Sequence, residues 1–209
     1  MVRRSNPAYK DSVFINCPFD QQYSTIFPAL VFTVTDCGFI PRSALEEANG
    51  SESRIEKIYR IIGECKYGIH DISRTELNAD RLPRFNMPLE LGIFLGARKY
   101  GTRSQKQKVG VILDRERFRY QKFCSDLAGN DPQSHENWPE RAVIEVRNWL
   151  RTARKKVIIP SGDKIWERYQ EFQRDLPIIA SDSALDHEHL IFNDLTTVIE
   201  LWLKKNPFP

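Results

Sequence analysis

The sequence has no run of about 18 consecutive apolar residues, the minimum for a membrane-spanning helix, and no apolar segment near its N-terminus typical of a signal peptide. Its four cysteines form no CxxC pair and are not spaced with histidines as zinc ligands would be. With 31 basic and 28 acidic residues, the net charge of +3 gives little support for nucleic-acid binding. We therefore expect a cytoplasmic protein with reduced thiols, no metal site and no membrane contact.

Motifs of several common enzyme classes are also missing. Gly92 and Gly96 lie inside a predicted helix and match neither GxGxxG nor a Walker pattern, so there is no glycine-rich phosphate loop. Their spacing instead predicts close packing of that helix against a sheet. The sequence contains no GxSxG nucleophile elbow and no HExxH zinc motif. We expect no bound cofactor.

Short apolar segments alternate with amphipathic helical segments in the first half of the chain. Strands are predicted at residues 12–16, 39–42, 67–72 and 108–114. The segments between them have apolar residues at spacings of three and four, which is typical of helices that face a core. This alternation predicts an α/β fold built from βαβ units, with a parallel sheet and helices on both faces.

Capping residues mark the expected starts of these helices. Asp20 is predicted to cap the first helix, and either Ser51 or Ser53 the second. Asn86 is predicted to cap the third, with Pro88 tolerated in its first turn.

The rest of the chain is predicted to be helical. The predicted helices cover residues 120–127, 140–154, 164–176 and 189–204. We divide the chain into an α/β domain at residues 12–130 and a helical extension at 138–205 that packs on it.

Four polar side chains are expected at one edge of the predicted sheet. Right-handed crossovers bring the carboxyl ends of all strands to one edge, where open α/β sheets bind ligands. Asp20, Asp71, Asn86 and Glu90 all fall there. Glu90 borders the apolar face of its helix, so partial burial raises its pKa, while the helix N-terminus favours the charged form.

Two interpretations of these carboxylates stay open. One carboxylate can act as a nucleophile or stabilise an oxocarbenium-like ribosyl cation, while the other binds sugar hydroxyls or transfers a proton. Alternatively, Asp71 caps a turn and Glu90 is an ordinary charge at a helix end. His70 precedes Asp71 on a strand, so their side chains should point to opposite faces. We expect a structural histidine, not a catalytic dyad.

Three short segments resemble successive motifs of the nucleoside 2-deoxyribosyltransferase-like proteins and the related bacterial TIR-like (Toll/interleukin-1 receptor-like) domains. They are VFINCPF at 13–19, GIHDIS at 68–73, and NMPLELG at 86–92 with Gly96. The resemblance implies a flavodoxin-like sheet with Glu90 as the catalytic residue and Asp71 as a carboxylate on the sugar or base side. It also implies first-loop contacts from Asn16 and Phe19. The sequence departs from the transferase pattern at Phe14, where those enzymes tend to have tyrosine.

The candidate site therefore consists of two sets of residues. The catalytic candidates are Glu90 and Asp71, and the substrate-binding candidates are Asn16, Phe19, Asp20, Asn86 and Met87. The resemblance implies cleavage or transfer of the N-glycosidic bond of a nucleotide or nucleoside, with NAD as the first candidate substrate. It further implies a role as a bacterial antiphage defence effector, with a homo-oligomer or an activating protein as partner.

Two other functions are weighed against this one. The same cleft could hold a nucleotide without turnover, as a sensor module whose helical extension transmits occupancy. Nucleic-acid contact is the third, through one of two basic clusters. The clusters are Arg115, Arg117, Arg119 and Lys122 with Tyr120, and Arg151, Arg154, Lys155 and Lys156. Clusters of this size are usually solvated surface, so we do not expect a nucleic-acid partner.

Overall fold

A parallel sheet forms the centre of the structure, a computed structural model that describes residues 9–20, 23–77, 81, 84–154 and 158–208. Within these residues the strands are β1 Ser12–Asn16, β2 Ile40–Arg42, β3 Tyr67–Asp71, β4 Val109–Asp114 and β5 Gln133–Ser134. They pair in the order β2-β1-β3-β4-β5, and every pair is parallel. This confirms the predicted α/β fold with a flavodoxin-like sheet.

Helices cover both faces of the sheet. In the described part of the chain they are α1 Ile26–Asp36, α2 Arg54–Glu64, α3 Asn86–Tyr100, α4 Pro139–Ala153, α5 Gly162–Asp182 and α6 Phe192–Lys205. Helices α2 and α3 lie on one face, and α1 and α4 lie on the other, with α5 and α6 packed against α1. None of the described helices is both long and apolar enough to cross a membrane.

The central strands are buried on both faces, which explains why they are nearly continuous apolar runs. Every residue of β1 and β3 is buried. Val13 and Ile15 join the core beneath α1, while Phe14 packs among residues of α2 and α3. The sheet therefore separates two apolar layers, and residues that alternate along a strand enter different layers.

Two of the predicted helix caps are wrong, and one is confirmed. Helix α1 begins only at Ile26, so Asp20 does not cap it. Asn86 is the first residue of α3, preceded by Phe85, and no side chain caps this helix. Ser53 does cap α2, since its hydroxyl accepts a hydrogen bond from the third helical amide.

The predicted packing role of the two helical glycines is also wrong. Gly92 is exposed, and a Cβ added at Gly92 or Gly96 would meet no atom within 4 Å. Two glycines in the strands, Gly68 and Gly110, instead leave the space that the Phe94 ring occupies. A Cβ at Gly68 would lie 2.8 Å from Phe94 Cε2, and one at Gly110 would lie 3.2 Å from Cε1. The strands therefore make room for a ring from the helix.

Several boundaries in the second half of the chain differ from the prediction. Residues 120–127, predicted as one helix, form parts of two 3₁₀ turns at Arg119–Lys122 and Ser125–Leu127. Strand β5 was not predicted. Helix α5 continues through Pro177 to Asp182 and does not end at residue 176, because Ile179 and Ala180 remain buried against the core.

The C-terminal helices are fastened to the α/β core by charge as well as by apolar contact. Arg168 of α5 donates to both carboxylate oxygens of Asp36 at the end of α1, each at 3.0 Å. The guanidinium also lies over the ring of Trp202 in α6. The division into an α/β domain and a separate helical extension stays a prediction.

Candidate active site

A cavity of about 260 Å³ lies between α2 and α3 at the carboxyl edge of the sheet. Its described lining consists of Arg54, Ile55 and Ile58 from α2, and Asn86, Leu89 and Glu90 from α3. We call it the Glu90 cavity. Glu90 lies in the second turn of α3, four residues before the buried Phe94, so it borders the apolar face of the helix, and the residue is only 4% exposed.

Burial dominates the electrostatics of Glu90. It raises the pKa of the carboxyl group to about 7, while the Arg54 guanidinium lowers it. The opposing effect of Arg54 is modest because its nitrogen is 3.8 Å from Oε1 and its side chain is 53% exposed. Near neutral pH both protonation states of Glu90 are therefore populated, a condition that suits a group taking part in proton transfer or covalent chemistry.

A second cavity, also about 260 Å³, adjoins the first. Its described lining consists of Pro18, Phe19, Arg54, Arg74, Arg84, Asn86 and Met87. We call it the arginine cavity, and it shares Arg54 and Asn86 with the Glu90 cavity. One oxygen of Asp20 lies 3.2 Å from Arg84 Nη1 and 3.3 Å from Arg74 Nε. Asp20 thus orients two of the arginines, which replaces the capping role predicted for it.

Asn16 lies behind these cavities and fixes the position of α3. Its side-chain amide is buried and donates to the Met87 carbonyl oxygen at 3.0 Å and to His70 Nδ1 at 3.2 Å. His70 is fully buried between the rings of Phe14 and Phe94, and burial lowers its pKa to about 3. The neutral histidine is structural, as the sequence suggested. Asn16 joins the end of β1 to the first turn of α3.

Asp71 is fully buried on the other face of the sheet from Glu90. Its carboxylate accepts hydrogen bonds from the Tyr23 hydroxyl at 2.5 Å and the Ser73 amide at 2.8 Å, and lies 2.9 Å from His135 Nε2. Burial raises the pKa of Asp71, but its partners outweigh burial and hold the pKa below its usual value. Asp71 and Glu90 therefore belong to different surroundings, and the catalytic role of Asp71 stays a prediction.

His135 is an important residue that sequence reasoning missed. Its Nδ1 accepts a hydrogen bond from the Asn137 amide at 3.0 Å, and its Nε2 lies 2.9 Å from the Asp71 carboxylate. The histidine follows β5, whose two polar residues give no strand signal. Arg54 was also missed, although its place at the first position of α2 follows from the Ser53 cap.

An apolar cavity of about 450 Å³ lies on the other side of the first loop. Its described lining includes Pro18, Phe19, Asp20, Tyr23, Phe27 and Leu45, together with Leu190 and Ile191 before α6 and Phe192 and Leu195 in its first turn. Phe19, 40% exposed, meets Phe27 edge to face with ring centroids 5.3 Å apart. Phe19 therefore separates the arginine cavity from an apolar one.

Four of the predicted substrate-binding residues line cavities, and one does not. Phe19, Asn86 and Met87 line the arginine cavity, and Asn86 also lines the Glu90 cavity. Asp20 lines the apolar cavity. Asn16 lines none of the three cavities and is buried. In the described part of the chain, no three His, Cys, Asp or Glu side chains gather as metal ligands would.

Two of the four basic residues in the first cluster are engaged within the protein, while Arg117 and Lys122 are exposed. Arg119 binds Asp114 at 2.7 Å, and Arg115 pairs with Glu76. These contacts fasten the segment after β4 to the neighbouring loop. The second cluster includes residues 155–156, which lie outside the described residues.

Comparison of the sequence with protein-family models and with curated proteins finds no match. The fold and the geometry of the cavities are therefore the grounds on which a function is proposed.

Proposed function

We propose that this protein cleaves or transfers the N-glycosidic bond of a nucleotide or nucleoside, with Glu90 as the reacting carboxylate and NAD as the first candidate substrate. One observation supports the proposal above all. Glu90 is a buried carboxyl group with a pKa of about 7 that lines a cavity at the carboxyl edge of a parallel sheet. A carboxyl group at such a boundary lowers the free energy of unfolding when it ionises. Groups whose pKa values are shifted in this way are found most often at functional sites.

The chemistry follows from the state of Glu90. Its ionised form attacks the anomeric carbon or stabilises the ribosyl cation as the bond from that carbon to the base nitrogen breaks. The electron pair of the broken bond leaves with the base. Water, or a second base in a transfer reaction, then forms the new bond to the anomeric carbon. Any bond between that carbon and Glu90 breaks at this step, its electron pair returns to the carboxylate, and the proton lost by the incoming nucleophile passes to Glu90 or to solvent.

Asp71 takes part in this proposal as a positioning residue. It accepts a hydrogen bond from the Ser73 amide, at the start of the loop that contains Arg74 and Arg84. It also fixes the orientation of His135 behind the sheet edge. In its buried position it would hold this loop in place without touching the substrate.

A second candidate function is a nucleotide sensor that binds without turnover. Glu90 is the single carboxylate among the described residues that line its cavity, whereas many glycosidases place two carboxyl groups around the reacting bond. In a sensor, α6 would report occupancy, since residues at its start line the apolar cavity beside Phe19.

Incubation of the protein with NAD and a panel of nucleosides and nucleotides, followed by chromatography, distinguishes the two functions. An enzyme releases free base and a ribosyl product, and the panel identifies the substrate. A sensor retains a nucleotide that is recovered chemically unchanged. Release of base from no compound at high protein concentration would contradict the enzymatic proposal.

An enzyme that uses Glu90 should also show it in the pH dependence of the rate. The logarithm of kcat/KM should bend near pH 7, because this ratio reports the pKa values of essential groups in the free enzyme. If the ionised form of Glu90 is the active one, kcat/KM rises up to about pH 7 and then levels off. If the protonated form is active, kcat/KM falls above about pH 7. A profile without a bend between pH 5 and 9 would remove Glu90 from the reaction.

A further inference from the structure

Three arginines line one small cavity that adjoins the proposed reaction site. Arg54, Arg74 and Arg84 contribute to the arginine cavity, and no carboxylate appears among its described lining residues. Arginine presents planar pairs of donors that match the oxygens of a phosphate group. The composition of this lining therefore favours an anion over a neutral sugar or base.

The arginines are oriented but not enclosed. Asp20 holds Arg74 and Arg84 through the same carboxylate oxygen, from the side of the apolar cavity. The side chains of Arg54 and Arg84 remain 53% and 54% exposed. Glu76 Oε2 also lies 4.0 Å from Arg74 Nε, so carboxylates outside the cavity lining partly balance the guanidinium charges, while the exposed nitrogens stay available to an incoming anion. The uncapped N-terminus of α3 adds to the positive potential of the same wall.

The arrangement of the two cavities matches the two ends of a nucleotide. They share Arg54 and Asn86 as walls, so a ligand that fills both passes between these residues. In a nucleotide, the 5′-phosphate and the anomeric carbon lie at opposite ends of one ribose. A phosphate in the arginine cavity would therefore direct the anomeric carbon of the same nucleotide toward Glu90.

We propose that the arginine cavity binds the 5′-phosphate of the substrate, so that this protein acts on nucleotides and not on free nucleosides. The assignment of the phosphate to a substrate rests on the proposed function, whereas the anion site itself does not. Arg84 is the specificity-determining residue best suited to a test, because Arg54 also contacts Glu90 and its loss would disturb both cavities.

Isothermal titration with inorganic pyrophosphate tests the anion site without any assumption about base or sugar. The parent protein should bind it, and higher salt should weaken binding. Arg84→Ala should weaken it roughly tenfold to a hundredfold, the effect of one charged hydrogen-bonding contact. Arg84→Lys, which keeps the charge but not the paired donors, should recover part of the loss. Arg103→Ala removes an exposed arginine beyond the far end of α3 and serves as the matched control.

Matched pairs of ligands then test the link to the substrate. Glu90→Gln protein, which should bind without turnover, is titrated with AMP against adenosine and with nicotinamide mononucleotide against nicotinamide riboside. We expect the phosphorylated member of at least one pair to bind at least tenfold more tightly, and Arg84→Ala to abolish that difference.

The outcomes separate the two proposals. If pyrophosphate does not bind, or if Arg84→Ala and Arg103→Ala weaken it equally, the phosphate site is refuted whatever the activity. If nucleosides are cleaved as well as nucleotides, the N-glycosidic function stands and nucleotide specificity falls. If nucleotides bind through Arg84 but no base is released, the phosphate site stands and the enzymatic function falls.

Discussion

Replacing Glu90 with glutamine should stabilise the protein near pH 8 and leave its stability nearly unchanged near pH 4. Burial raises the pKa of Glu90 from 4.5 to about 7, so the folded protein retains a proton that the unfolded chain releases within this range. The free energy of unfolding therefore falls as pH rises from 4.5 to 7. At about 1.36 kcal/mol per pKa unit, the ionised carboxylate costs the folded state about 3 kcal/mol above pH 7.

Glutamine keeps the size of the side chain and has no charge to desolvate. The attraction of Arg54 for the ionised carboxylate is already contained in the pKa of about 7, so it is not subtracted again. The net gain near pH 8 should be about 3 kcal/mol, or roughly 6 to 12 °C in Tm for a chain of this length.

Urea denaturation of the parent and Glu90→Gln proteins at the two pH values measures this difference. Glu56→Gln, the same substitution at an exposed position in the first turn of α2, should change the free energy of unfolding by less than about 0.5 kcal/mol at either pH. A Glu90→Gln protein no more stable than the parent near pH 8 would refute the reasoning. It would mean that the carboxylate is well solvated or well paired when ionised.

Two further predictions concern the buried supports of the site. Asp71→Asn removes the charge of a fully buried carboxylate that accepts from Tyr23 and Ser73, and should lower the free energy of unfolding by about 1.5 to 3 kcal/mol in urea titrations. A loss below about 1 kcal/mol would show that this network contributes little. Gly68→Ala places a methyl group 2.8 Å from the Phe94 ring and should cost about 1 to 3 kcal/mol. Gly92→Ala, in an exposed helix position with open space, should instead gain about 0.5 to 1 kcal/mol, and equal effects at the two glycines would contradict the packing described for Gly68.

The α/β fold could be predicted because buried parallel strands leave a strong local signal. Val13, Phe14 and Ile15 form a short apolar run flanked by Ser12 and Asn16, and β1 occupies the five predicted positions, Ser12–Asn16. Strand β5 has no such signal, since Gln133 and Ser134 are polar and only half-buried. The helix predicted over residues 164–176 continues through Pro177, because burial of Ile179 and Ala180 offsets the hydrogen bond that proline cannot donate.

The candidate site was only partly predictable. The burial of Glu90 followed from its place three and four residues before Ile93 and Phe94, at the border of the apolar face of α3. The alternation along β3 correctly placed His70 and Asp71 on opposite faces, and the same alternation turns Asp71 away from the layer that contains α3. The contact between Asp71 and His135 could not be predicted, because it depends on where the chain after β4 places β5 and the histidine that follows it.

The most direct test of the account compares NAD turnover by the parent protein, Glu90→Gln and Glu56→Gln at pH 7, with free nicotinamide measured by chromatography. We expect release of nicotinamide by the parent and by Glu56→Gln, and none above background by Glu90→Gln, which should remain folded in the urea titration. Equal rates of release by Glu90→Gln and the parent would contradict the central claim that Glu90 is the reacting carboxylate.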